Sequence, residues 1–321
     1  MKNYSTKIID EISNQLHGNK ISVRDLAKML SISTETAYRR VRNRIPFSIN
    51  EIAIIAEHLN FSVDQLLNLK TSNHFPFYKD FNSGQEIEDV YYNLLKGDIE
   101  TMENIRSASV VKITATINRI PFRLLPYQML FKLDYCHYLY STGKISLMTT
   151  RFSDIQIPPA VDDLYQKAIS CFQYLNNITC VIDNELYSNT IRKIQYYNRL
   201  QLISTEDIQL LQRELFDLLE KYENLLRTGK NSAGFNYVFY SSFFPIDANV
   251  IYIEYDANSL LQVWVYPESP LIIRNNPFVS DVQKLWIESK IRSSALITKT
   301  ADQQQVEVLR NLYQQVEKLS V

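Results

Sequence analysis

Glycine is scarce, with 6 in 321 residues. That leaves little room for glycine-rich phosphate loops, and neither GxGxxG nor GxxxxGK[ST] occurs. Cysteine is scarcer still: Cys136, Cys171 and Cys180 are odd in number and far apart, and they form no CxxC. Neither a disulfide framework nor a zinc site is expected from them. The four histidines show no HExxH spacing, so no metal and no cofactor is expected. No apolar run approaches the ~20 residues that cross a bilayer, and the opening MKNYSTKIIDEISNQL lacks the apolar centre of a signal peptide. Together these features predict a cytoplasmic chain with no membrane partner. An excess of charge is also lacking. With 34 basic and 35 acidic residues the net charge is -1, which excludes a generally basic, DNA-coating protein but not a small basic surface on one domain.

Helix starts are plentiful near the beginning. Asn3 to Leu16 carries Ile8, Ile9, Ile12 and Leu16 at helical spacing. Ser22 with Asp25, and then Ser33, can cap the second and third helices. Ser48 with Glu51, and Ser62 with Gln65, make S-x-x-E/Q capping boxes before further apolar stripes. The pattern predicts an all-α bundle of five short helices over residues 1–72. Residues 73–84, with Pro76, Asn82, Ser83 and Gly84, read as a linker.

Residues 85–321 alternate in type. Helices are expected at 85–105, 125–140, 160–175, 187–202, 205–226, 280–292 and 302–319. Strands are expected at 110–117, 179–183, 237–241, 250–255, 260–266 and 271–274. The fold class predicted for this part is an α+β domain with a mainly antiparallel sheet, possibly as two subdomains.

Most functional information lies in ISVRDLAKMLSISTETAYRRVRNRIPFSINEIAIIAEHLNFSVDQLL, Ile21 to Leu67. Its frame is Leu26-Ala27, the turn Ser31-Ile32-Ser33, Pro46 after a basic stretch, Ile55-Ala56 and the closing Leu66-Leu67. In these positions it resembles the phage-repressor-like (XRE, or Cro-type) helix-turn-helix regulators. The resemblance covers about a fifth of the chain and implies a double-stranded DNA operator as partner.

The resemblance makes the helix after Ser33 the recognition helix, whose N-terminal residues enter the major groove. Its outward positions would be Ser33, Thr34, Glu35, Thr36, Tyr38, Arg39 and Arg40. Arg39 or Arg40 could take guanine O6 and N7, and Thr34 and Thr36 could touch a thymine methyl. Glu35 could accept from cytosine N4 or hold an arginine in place. Arg42, Arg44 and Ser22 are phosphate candidates. The chain departs from the family twice: Asn43 stands where glycine often follows the recognition helix, and Arg40 where the family often has an apolar residue. Lys20 to Lys70 holds eight basic residues against five acidic ones.

The second region invites three readings. It could bind a small-molecule or peptide effector, through the aromatic strands bearing Tyr237, Phe239, Tyr240, Tyr252, Tyr255, Trp264 and Tyr266. It could dimerise, through the stripes Ile208-Leu211-Leu215-Leu218-Tyr222-Leu225 and Leu309-Leu312-Val316-Leu319. Catalysis is the weakest reading and no catalytic residue is expected, although Asp134, Cys136 and His137 lie close in sequence, as do Asp162 and Asp163. The sequence therefore predicts a DNA-binding transcription regulator that is not an enzyme. It would be a homodimer with an effector-sensing C-terminal domain. The alternative is a scaffold whose C-terminal domain binds another protein.

Overall fold

The computed structural model describes residues 8, 9, 12, 13, 16, 21–59, 87–256, 258–266, 269–274, 277–299 and 303–319. The chain divides into two compact units, Met1–Phe77 and Tyr78–Val321.

In the first unit, Ile8, Ile9, Ile12 and Leu16 are helical. Three further helices follow: α1 (Val23–Met29), α2 (Thr34–Val41) and α3 (Ile49–Leu59). The fifth helix expected after Ser62, and the linker expected at 73–84, lie outside the described residues. Ser22 caps α1 in a full capping box with Asp25, and Ser33 Oγ accepts from the Thr36 amide at the start of α2. Ser48 and Glu51 bond reciprocally at α3. Each cap satisfies amides that a helix start leaves bare. One core forms from Ile8, Ile12, Leu16, Leu26, Leu30, Ile55 and Leu59, with Ile32, Val41 and Phe47 packed against it. Ala27 and Ala37, both buried, are small enough for α1 and α2 to approach closely.

The second unit is built on one seven-stranded sheet in the order β6-β5-β4-β1-β2-β3-β7. Its strands are β1 (Val111–Ile117), β2 (Ile178–Ile182), β3 (Tyr237–Ser242), β4 (Val250–Tyr255), β5 (Asn258–Tyr266), β6 (Ser269–Arg274) and β7 (Ser294–Leu296). The sheet is mixed, which corrects the expectation of a mainly antiparallel one. Its centre, β1-β2-β3, is parallel, and antiparallel strands extend it on both sides. The reason is length. Between β1 and β2 lie α5 (Gln128–Ser141) and α6 (Pro159–Phe172), and between β2 and β3 lie α7 (Ser188–Arg199) and α8 (Thr205–Thr228). Such helical connections return the chain in the same direction, whereas short turns reverse it.

One sheet face, carrying Ile113, Ala115, Ile178, Cys180, Tyr237, Phe239 and Ile253, shares the main core with those four helices. That core also takes in α4 (Ile87–Arg106) and α10 (Gln303–Glu317). Ile208, Leu211 and Leu215, and Leu312, Val316 and Leu319, belong to it. Both stripes considered for dimerisation are therefore largely spent inside the unit. The opposite face packs Tyr252 and Leu261 against α9 (Pro277–Arg292) through Val279 and Ile287. A buried ion pair, Arg123 to Asp98 at 2.6 Å, lies in this unit, with the guanidinium 4.0 Å from the Trp264 ring centre.

Candidate nucleic-acid interface

Two left-handed residues bound α2. Ser31 (φ 53°) ends α1, and the Ile32 amide donates to the Ala27 carbonyl at 3.0 Å. Asn43 (φ 56°) ends α2 in the same way, and the Arg44 amide donates to the Arg39 carbonyl at 2.8 Å. Each is a Schellman turn, which closes the bare carbonyls of a helix end. Asparagine adopts this left-handed conformation at less cost than most residues with a Cβ.

On α2 the predicted residues divide. Thr34, Glu35, Tyr38 and Arg39 are exposed, and so are Arg42 and Arg44 at its end. Ser33 and Thr36 hydroxyls bond each other at 2.8 Å, in addition to the cap. Glu35 pairs with Arg39 at 2.7 Å, one turn along the exposed face. Arg42 lies over the Tyr38 ring, 5.9 Å from its centre. Ser22 is exposed, and its hydroxyl donates to Asp25 at 2.6 Å.

Arg40 points the other way. Its guanidinium meets Glu51 at 2.8 Å, the two side chains being only 16% and 11% exposed. It also donates to the Pro46 carbonyl and lies 5.9 Å from the centre of the Phe47 ring. Glu51 in turn caps α3 through the Ser48 amide. Arg40 therefore joins α2 to α3 and is not presented for base contact. Glu51, held by the Ser48 amide, is what draws Arg40 inward.

Among the described residues of the first unit, Arg24, Lys28, Arg39, Arg42 and Arg44 are exposed cations. With polar groups at the start of α2, this face can donate to base edges and phosphates together.

Of the side chains weighed for catalysis in the second unit, Asp134, His137 and Asp162 have polar partners and Cys136 is buried. Asp134 pairs with Lys193 at 2.8 Å, and His137 Nδ1 lies 2.6 Å from the Tyr197 hydroxyl. Burial pushes the Cys136 thiol up to about 12 and His137 down to about 3. Asp162 accepts from Gln128 at 3.1 Å. At the carboxyl ends of the parallel strands, where α/β sheets commonly hold ligands, Asp183 accepts the amides of Glu185 and Ile246 at 2.8 and 2.7 Å.

A cleft of about 130 Å³ lies between the sheet and α9. Thr114, Thr179, Tyr240 and Tyr252 line its sheet side, and Lys112, Glu254, Lys284 and Glu288 bring charges of both signs. Lys284 and Glu254 pair there at 2.6 Å. Of the aromatic strand residues, Tyr240 and Tyr252 reach this cleft, while Tyr237 and Phe239 belong to the main core.

Residues 3–102 match the family model of the BetR domain, a DNA-binding family that contains a helix-turn-helix. The match covers about a third of the chain and runs beyond the first unit into α4. It supports a DNA-binding regulatory role for the N-terminal region. No curated protein and no solved structure matches the chain. Among the described residues, no helix is long and apolar enough to cross a membrane.

Proposed function

We propose that this chain is a sequence-specific transcription regulator of the phage-repressor-like kind, acting on DNA in the cytoplasm. The observation that carries the reading is the exposed face of α2. Thr34, Glu35, Tyr38 and Arg39 stand clear of the core, on a helix held by two Schellman turns and by the Arg40–Glu51 clamp. In this reading α2 enters the major groove, Arg39 takes a guanine edge, and Arg42 and Arg44 hold phosphates. Ser33, Thr36 and Ser22 add contacts at two helix starts. Two copies bind together, because one short helix reads too few bases for adequate specificity.

The C-terminal unit supplies regulation and no catalytic step. The cleft under α9 supports an effector role, because it sets hydroxyl groups and charges of both signs around a small volume. A ligand of a few heavy atoms would meet α9 directly.

Selection of binding sites from a random duplex pool by the full chain tests the proposal. The expected result is a two-fold symmetric consensus, with half-sites about 34 Å apart or a multiple of that. A pool that stays random overturns it.

A further inference from the structure

Helix α9 turns Val279 and Ile287 inward, and Lys284 inward to Glu254. Its other side leaves a stripe of apolar side chains in solvent. Leu285 and Trp286 are each 62% exposed and Val282 is 41% exposed. Spacings of three and four place them on one helical face, which Ser289 continues. Opposite charges close its two ends, with exposed Asp281 at the start and exposed Arg292 at the finish. Neither has an ion-pair or hydrogen-bond partner among the described residues.

We propose that this face is where a second copy of the chain docks, with the two α9 helices antiparallel about a two-fold axis. The inference rests on the dimeric regulator proposed above and names its interface. Charge selects the occupant and its direction. In an antiparallel pair the Asp281 end of each stripe lies beside the Arg292 end of the other, and the two-fold makes this contact twice. Parallel docking sets acid on acid and base on base. The centre of the contact is then Leu285 and Trp286 against their own copies, and a buried tryptophan is the residue type that most often anchors an interface.

Area supports a face wider than the helix alone. A stable interface takes about 800 Å² from each partner, more than three side chains supply. Further exposed apolar side chains lie beside the strand that follows α9. Two residues beyond Arg292, Ser294 of β7 pairs with Ser242, and the next residues, Phe243 and Phe244, are 65% and 62% exposed.

Sedimentation velocity of the full chain over a range of concentrations tests the proposal, with Leu285→Glu and Trp286→Glu as variants. Both positions are in solvent, so the fold tolerates them. The expected result is a dimer in the parent chain, and a dissociation constant raised at least about 10-fold in either variant, as loss of a central anchor does. Asp281→Arg or Arg292→Asp alone should weaken the dimer by about 2- to 10-fold, because each reversal acts twice. The double reversal should restore it. The emission of Trp286 should shift to shorter wavelength as the parent chain dimerises.

A dimer indifferent to Leu285→Glu and Trp286→Glu overturns this face, while a symmetric site selected by the same chain would leave the regulator standing. A double reversal that fails to restore what the single reversals lost overturns the antiparallel arrangement. A chain that is monomeric at every concentration overturns the interface and dimerisation in free solution together.

Discussion

Arg40 carries its charge inward because Glu51 is already fixed there by its bond to the Ser48 amide. A carboxylate that both caps a helix and faces a guanidinium needs no reordering to bind it. Arg40→Ala leaves Glu51 poorly hydrated and without its cation, and should destabilise the first unit by about 2 kcal/mol, midway between exposed and fully buried pairs. A double-mutant cycle with Glu51→Ala should return a coupling of about 1–2 kcal/mol; a coupling near zero would show the pair to be inert. Arg39→Ala should leave stability within about 0.5 kcal/mol, yet weaken the selected operator by about 1–3 kcal/mol with relaxed preference at one base pair. The two arginines adjoin in one basic run, and that run says nothing about which of them turns inward. What separates them is the position of Glu51, eleven residues on, which becomes readable only when α3 has packed on α2. His137 shows the same dependence on folding. Above pH 6.5 it is neutral folded and unfolded; as pH falls towards about 3, the unfolded chain takes the proton first, and stability is lost. His137→Gln should flatten this loss, measured as the difference in urea midpoint between pH 7.5 and pH 5. An unchanged slope would show that other groups dominate.

At the scale of the element, what is local is legible. Ser22, Ser33 and Ser48 all cap helices where the spacing of hydroxyl and apolar stripe predicts it, and Ser204 caps α8 in the same way with Asp207. A cap is decided within four residues, so a short stretch of sequence contains its cause. Turn strain is local as well. Ser31 holds a left-handed conformation that costs a residue with a Cβ about 1–2 kcal/mol, and asparagine less. Ser31→Gly should therefore stabilise the first unit by about 0.5–1 kcal/mol, after allowing for the greater freedom of glycine when unfolded, and Asn43→Gly should gain less. Thermal midpoints of the two variants give the order, and an equal or reversed order would remove the strain argument. Strand partners are not local. Alternation marks β1 and β4 as strands, but that β1 sits between β2 and β4 depends on how long helical connections return the chain. The short β7 escapes pattern reading, since three residues carry no period.

Over the whole molecule, two cores of different construction share one chain. The first unit closes around short helices through Leu26, Ile55 and Leu59, and the second around a mixed sheet that helices cover on both faces. Among the described residues, no side chain is shared between the two cores. The two kinds of core are legible in sequence, one as closely spaced helix caps and the other as β-branched strands among longer helices. The faces a unit leaves exposed are not, because Val282, Leu285 and Trp286 look like any other apolar stripe until α9 is seen to bury a different one. Separate cores predict separate unfolding. The full chain in urea should lose structure in two transitions, the smaller one belonging to the first unit. Arg40→Ala should then move only the smaller transition. Asp98→Ala should move only the larger, by about 3–5 kcal/mol, since it leaves the Arg123 guanidinium buried without its carboxylate. Operator DNA should raise the smaller midpoint by mass action and leave the other in place. If DNA raises both midpoints together, or either substitution moves both, the two cores are energetically coupled. The effector role proposed for the cleft under α9 needs such coupling in order to alter DNA binding by α2.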